Sequence, residues 1–172
     1  MRFIVIRTVS SCKRVNTTAL QPTYQSKFCT LYETVITVDQ MINTIGGKVV
    51  MVSDQKKAVD FYTKKLGFDL RVDMPIGKVH WIEVAPKNSQ SSISLMEPNQ
   101  QMMSKEELTR AKKEIGMFTG VWFYTDNIQS TYEDLKKKGV NITSPEKQEW
   151  GGIISILKDQ DGNGFHLVEF KM

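Results

Sequence analysis

Two histidines, His80 and His166, are the side chains of this 172-residue sequence best suited to moving protons near neutral pH or to binding a transition metal. His80 lies in the alternating run KVHWIEV and His166 in GFHLVEF, so each belongs on a strand. Glu83 and Glu149 are the carboxylates that could join them around an ion. A histidine pair on separate strands is more often hydrogen-bonded structure than a ligand set, so a metal held this way is the minor alternative. Both cysteines, Cys12 and Cys29, fall within the first 30 residues. The rest of the chain therefore folds without a disulfide framework or a thiolate metal site.

Charge and length narrow the partners. The chain carries 23 basic and 19 acidic residues, for a net charge of +4, with a mean hydropathy of −0.32. That excess is too small over this length to argue for nucleic acid, and the lysine clusters at 56–57, 64–65, 112–113 and 136–138 read as solvated helix faces. No apolar run approaches the roughly 18 residues of a membrane span. The first 40 residues hold Arg2, Arg7, Lys13, Arg14 and Lys27 against Glu33 and Asp39, and are rich in Ser and Thr. Two readings of 1–40 stay open: an organellar transit peptide, or residues upstream of a true start at Met41. A further strand at Val35–Val38 is a third possibility. A cytoplasmic location is expected, or an organellar one if 1–40 is a genuine transit peptide.

The elements that must position the histidines emerge from an internal repeat. Val49-Val50-Met51-Val52-Ser53-Asp54 is matched by Val121-Trp122-Phe123-Tyr124-Thr125-Asp126, and Gly67 by Gly139, both at an offset of 72 residues. Between these landmarks lie amphipathic helices. Ser53 or Asp54 caps the first, with Ala58, Phe61, Tyr62 and Leu66 as its inner stripe. Asp126 caps the second, with Ile128, Thr131 and Leu135 facing inward. Glycine ends each helix, beside lysines that suit the negative end of its dipole. Strands follow at 68–72, 79–85 and 91–96, then at 140–143, 153–157 and 165–170. The fold class is α+β: two βαβββ modules in tandem, about 45–97 and 117–170, within a domain of residues 41–172. A linking helix spans about 104–115, where Ser104 and Glu107 form a capping box.

The run VSDQKKAVDFYTKKLGF and the later LKDQDGNGFHLVEF resemble the vicinal oxygen chelate superfamily, which includes glyoxalase I, bleomycin-resistance proteins and extradiol dioxygenases. The resemblance covers residues 45–170. It implies curved sheets around a cleft, with modules pairing within one chain or across a homodimer, and in many members a divalent metal. The family's ligand positions fall at Gly47, Ser94, Thr119 and His166. Of these only His166 is a good transition-metal ligand, whereas a catalytic site ordinarily has three protein ligands. No metal or other cofactor is therefore expected, although a divalent ion at other positions stays possible.

If the family positions face the cleft, so do their neighbours two residues away. The expected ligand-binding residues are Met51, His80, Ser94, Met96, Thr119, Val121, Phe123 and Trp150, the last at the rim, with Val49 and Val168 beside them. Trp122 and Tyr124 are expected to pack under the helix, and Trp81 in the core. Such a lining suits a small, partly apolar molecule. Three functions follow. The first is a metal-free binding protein. The second is a lyase, isomerase or dioxygenase-type enzyme with an atypical metal or with His166 as acid or base. The third is a dimerisation or interaction module. Whether the chain is an enzyme stays open at this stage.

Overall fold

A computed structural model of the chain describes residues 4–8, 32–36, 42, 44–77 and 79–170. Two compact units result, Met1–Asn43 and Thr44–Met172. In the first, β1 (Ile4–Thr8) pairs antiparallel with β2 (Tyr32–Ile36). The strand expected at Val35–Val38 overlaps β2, whereas β1 has no alternating signature in the sequence. The remainder of 1–40, including Cys12 and Cys29 and most of the transit-like composition, lies outside the described residues.

The second unit has the tandem βαβββ architecture. β3 (Gly47–Met51), β4 (Asp69–Ile76), β5 (Val79–Ala85) and β6 (Ser92–Met96) form one sheet in the order β3-β6-β5-β4, with β3 parallel to β6. β7 (Phe118–Tyr124), β8 (Asn141–Ile142), β9 (Glu146–Lys147), β10 (Ile153–Lys158) and β11 (Gly164–Glu169) form the other. Its order is β7-β11-β10-β8, β9 also pairs with β10, and β7 is parallel to β11. In each module the first strand thus lies beside the last, a pairing that requires the helical crossover between them.

The helices are α1 (Gln55–Asp60), continued by a π-helical turn at Phe61–Lys65, then α2 (Lys105–Glu114) and α3 (Ile128–Lys137). Asp54 caps α1 by accepting the Lys57 N–H. Ser104 and Glu107 form the expected capping box on α2. The cap of α3 is Asn127, which accepts the Ser130 N–H, and not Asp126.

That one-residue difference has a structural cause. Val52 N–H donates to the Met96 carbonyl, as Thr125 N–H does to that of Val168. The first strands of the modules are therefore related by 73 residues and the last by 72. Likewise Phe68 N–H closes on the Tyr62 carbonyl and Val140 N–H on that of Leu135, which makes Tyr62 and Leu135 equivalent. The additional residue lies in the π-helical turn, where Leu66 N–H reaches back five residues to Phe61.

One core serves both modules. Val50, Val52, Ala58, Phe61, Tyr62, Val84 and Leu95 pack with Ile128, Leu135, Leu157, Phe165 and Leu167. Tyr62 meets Phe165 edge-on at 6.2 Å, and Phe165 stacks on Phe123 at 5.3 Å. Each fully buried large side chain contributes about 1.5–3 kcal/mol by leaving water.

The turn between β10 and β11 ties the modules together. Asp159 Oδ1 accepts the N–H groups of Asp161 and Asn163, and its Oδ2 accepts from Tyr62 Oη at 3.1 Å and Asn163 Nδ2 at 2.8 Å. Asn163 Nδ2 also reaches the Met51 carbonyl at 3.1 Å, and its Oδ1 takes the Gly116 N–H at 2.7 Å. Asp161 receives the Ser53 N–H and hydroxyl. Burial holds the Asp159 carboxyl above the ordinary aspartate range despite these donors. Burial, and then the neighbouring Asp159 charge, push the Tyr62 phenol up.

Candidate functional site

Alternation along each strand separates a core side from an open side. On β3, β5 and β6 the core takes Val50, Ile82, Val84, Ile93 and Leu95. Their neighbours Val49, Met51, Trp81, Glu83, Ser94 and Met96 consequently share the opposite face. On β4 the register shifts between Leu70 and Val72, which brings Val72 opposite Glu83, Met74 opposite Trp81 and Ile76 opposite Val79. In the second sheet Phe165 and Leu167 take the core side. His166 pairs with Trp122 in β7 and with Ile156 in β10, so these three share the open face with Phe118 and Tyr124.

The first open face has a carboxylate near its middle. Glu83 Oε1 accepts from the Trp81 indole N–H at 2.8 Å and from Ser94 Oγ at 3.4 Å, and its Oε2 accepts from Ser92 Oγ at 2.7 Å. The Ser92 hydroxyl, followed by the Trp81 indole, holds its acid below the usual glutamate range. A hollow of about 130 Å³ opens at the end of this face, lined in part by His80, Trp81, Ser94, Met96 and Met102. A second, of about 160 Å³, is lined by Met51, Met102, Met103, Ala111 and charged residues of α2. Both are smaller than the roughly 300–1,000 Å³ of pockets that enclose drug-sized ligands.

The second open face is aromatic. Phe118, Trp122 and Tyr124 are 51%, 59% and 71% exposed, and Ile156 is also exposed. The half-buried His166 ring lies 4.6 Å from that of Phe118 and has no hydrogen-bond partner among the described residues. At the rim Trp150 stacks on Phe170 at 5.8 Å.

The sequence-derived site residues distribute unevenly over this geometry. Met51, Ser94 and Met96 lie together on the first open face, and His166 on the second. His80 lines the smaller hollow, but its Nδ1 lies 2.7 Å from Asp73 Oδ1, so it is paired there and not with His166. Thr119 stabilises an irregularity in β7: its hydroxyl donates to the Gly164 carbonyl and accepts the Val121 N–H. There five residues of β7, Phe118 to Trp122, lie opposite three of β11, Gly164 to His166, and Gly120 has a φ of +73° that only glycine adopts freely. Val121 and Phe123 are corrected outright. They pack against the core, and Trp122 and Tyr124 take the open positions expected for them. Trp81 likewise belongs to the open face and not to the core.

The cause is the cap at Asn127. Counting from Asp126 set the first strand of the second module one residue out of phase, and a one-residue slip exchanges every side chain between faces. Glu83, read from the sequence only as a candidate to share an ion with the histidines, and Trp81 are among the open-face residues that the sequence did not place on that face, with Phe118, Trp122 and Tyr124. The signal available for the first two was alternation along each strand, Trp81-x-Glu83 on β5 and Ser92-x-Ser94 on β6, with Glu83 paired to Ser94.

The donors at the family's metal positions do not suit a transition metal. Gly47 has no side chain, Ser94 Oγ is bonded to Glu83, and Thr119 Oγ1 is occupied within the β7 irregularity. Counted from Asn127, the third position becomes Gly120. His166 is left as a single imidazole, and the described residues contain no group of three or more His, Cys, Asp and Glu placed to hold an ion. No described helix is long and apolar enough to cross a membrane.

Comparison with known proteins gives a consistent result. Residues 42–167 match the model of the Glyoxalase/Bleomycin resistance protein/Dioxygenase superfamily. The uncharacterised protein YetH of Bacillus subtilis is 37% identical over 131 residues, covering 75% of this chain and all of YetH. A solved superfamily member from Sphaerobacter thermophilus is 32% identical with a TM-score of 0.67, covering 76% of this chain and 99% of that one. TnmS3, an antibiotic binding protein from Streptomyces sp. CB03234, is 29% identical with a TM-score of 0.63. That match covers 77% of this chain and all of TnmS3.

Proposed function

This chain belongs to the Glyoxalase/Bleomycin resistance protein/Dioxygenase superfamily, and from that premise we propose that it binds a small, partly apolar molecule in a metal-free cleft completed by a second copy of itself. The observation that carries the proposal is the pair of open sheet faces. One presents Val49, Met74 and Ile76, the other Phe118, Trp122 and Tyr124, each between 39% and 71% exposed. Exposed apolar surface gathered in this way is typical of binding and association faces. The two hollows described on a single copy hold only about 130 and 160 Å³. Laying the aromatic face of one copy over the methionine-lined face of another would supply the missing wall, as a symmetric dimer does twice.

The resemblance to an antibiotic-binding protein supports a small-molecule ligand, and methionines allow one lining to adapt to several. A cytoplasmic setting belongs to the same proposal, supported by a domain after Cys29 that folds without disulfides.

The test combines native mass spectrometry with binding of planar aromatic compounds. A dimer that takes up about one aromatic molecule per cleft, and no stoichiometric zinc, nickel, iron or manganese, is the expected result. A monomer that binds none, or one metal per chain lost in His166→Ala, overturns it.

One observation favours an enzymatic second reading. The His166 imidazole stands on the open face with no hydrogen-bond partner among the described residues, free to exchange a proton with a ligand. Turnover of a bound compound that vanishes in His166→Ala, with binding intact, would establish it.

A further inference from the structure

Glu83 is an anomaly on its face. In the row that crosses the sheet, Val49 pairs with Ser94, Ser94 with Glu83 and Glu83 with Val72. Thus a carboxylate stands between Ser94 and Val72 in a row whose two ends, Val49 and Val72, are aliphatic. The row on one side of it is apolar: Met51 pairs with Met96, and Trp81 with Met74. An ionised carboxyl in such surroundings carries a desolvation cost unless donors or a counter-charge compensate. Donors are present, since Trp81, Ser92 and Ser94 all point hydrogens at it. A counter-charge is not, because no lysine, arginine or histidine among the described residues forms an ion pair with it.

Of the roughly four acceptor sites on a carboxylate, three are taken, two of them on Oε1. One site on Oε2 and the whole negative charge remain for a ligand. Trp81 completes the arrangement: its N–H is engaged by Glu83, and an indole face is the best aromatic partner for a cation.

We propose that Glu83 is the anchor for a protonated amine or guanidinium on the molecule bound here, a specificity that rests on the small-molecule reading above. The aromatic or aliphatic body of the ligand lies over Met51, Met96, Trp81 and Met74. Its cation sits over Glu83, two residues further along the strands, or about 7 Å away. An arylalkylamine has that span. Neutral analogues bind by burial alone, and anions are repelled.

The experiment uses three probes of one shape with the full chain, read by calorimetry and by tryptophan fluorescence: naphthylethylamine, naphthylethanol and naphthylacetate. The wild type is expected to bind the amine about tenfold more tightly than the alcohol and the acetate more weakly than either. Raising the salt concentration is expected to narrow the gap. Glu83→Gln keeps an acceptor for Trp81 and the serines but removes the charge. It is expected to equalise amine and alcohol while leaving the affinity for the alcohol unchanged.

Equal binding of amine and alcohol by the wild type overturns the inference while leaving the apolar cleft standing. So does a Glu83→Gln variant that weakens all three probes alike, because Glu83 would then be only a scaffold residue. Failure of the wild type to bind even the alcohol overturns both this inference and the function on which it rests. Should Glu83→Gln fold poorly, the wild-type ranking and its salt dependence still decide the matter.

Discussion

The two modules are near copies on the side that faces the core and unlike on the side that faces outward. Inward, both supply a first strand beside the last, a capped helix and a glycine-ended turn. Val50, Val52 and Tyr62 pack with Leu135, Phe165 and Leu167 in one cluster. Outward, the equivalent of Ser94 is His166, that of Val49 is Trp122 and that of Met51 is Tyr124. The inner sides have to fit each other, so close packing limits what they can hold. The outer sides do not, and can differ: one is a methionine-lined floor with a carboxylate, the other an aromatic wall with an imidazole. Stability therefore resides in one side of each sheet, and the proposed recognition in the other.

Substitutions can break or sharpen that contrast. The largest effect is expected from Tyr62→Ala, which empties a fully buried site between the modules. Denaturant unfolding should register a loss of about 3–5 kcal/mol. Next comes Asp159→Ala, which removes the acceptor for two backbone N–H groups, the Tyr62 hydroxyl and the Asn163 amide. A cost of about 2–3 kcal/mol is expected by the same measurement. Trp122→Ser on the aromatic face should change monomer stability by no more than about 0.5 kcal/mol, yet shift size-exclusion and light-scattering profiles toward monomer. Ser155 Oγ is buried on the core side with no hydrogen-bond partner among the described residues, so Ser155→Ala should be neutral or stabilising by up to about 1 kcal/mol.

Acidity gives the contrast a sign. Asp159 is raised in the fold, mainly by burial. Its contribution favours the fold below the unfolded carboxyl value and is lost as pH rises through the folded one. Glu83 is lowered, chiefly by Ser92. Its contribution is present above the unfolded value and is lost as pH falls through the folded one. Unfolding from about pH 3 to about pH 7 should therefore show wild type gaining on Asp159→Asn as the solution is acidified, and losing its lead over Glu83→Gln. Parallel pH profiles would mean that the two carboxyls do not differ as their surroundings require.

Much of this fold was legible before any coordinates. The stripe Ala58, Phe61, Tyr62, the Ser104–Glu107 box and the paired glycines each report a local physical preference, and local preferences survive in sequence. The site was legible only in part. Met51 followed from alternation in a strand whose phase was fixed correctly by Asp54, and Ser94 and Met96 from alternation along the last strand of the same module. Val121 and Phe123 did not, because Asp126 mimics a cap that belongs to Asn127. The three donors around Glu83 come from two strands that only the fold aligns, and Asp73 is brought to His80 by the hairpin of β4 and β5.

The wide turn at Phe61–Lys65 acts as a shim between unequal halves. Tyr62 occupies the place that Leu135 holds in the other module, yet only Tyr62 carries a hydroxyl, and that hydroxyl spans the seam to Asp159. Trimming the helix by that one residue to regular pitch would rotate everything downstream by a little more than a quarter of a revolution relative to that ring, about 100° per residue. Perfect duplicates would then mate less well than these mismatched ones, so the extra residue is a fitting that lets two similar pieces close on each other.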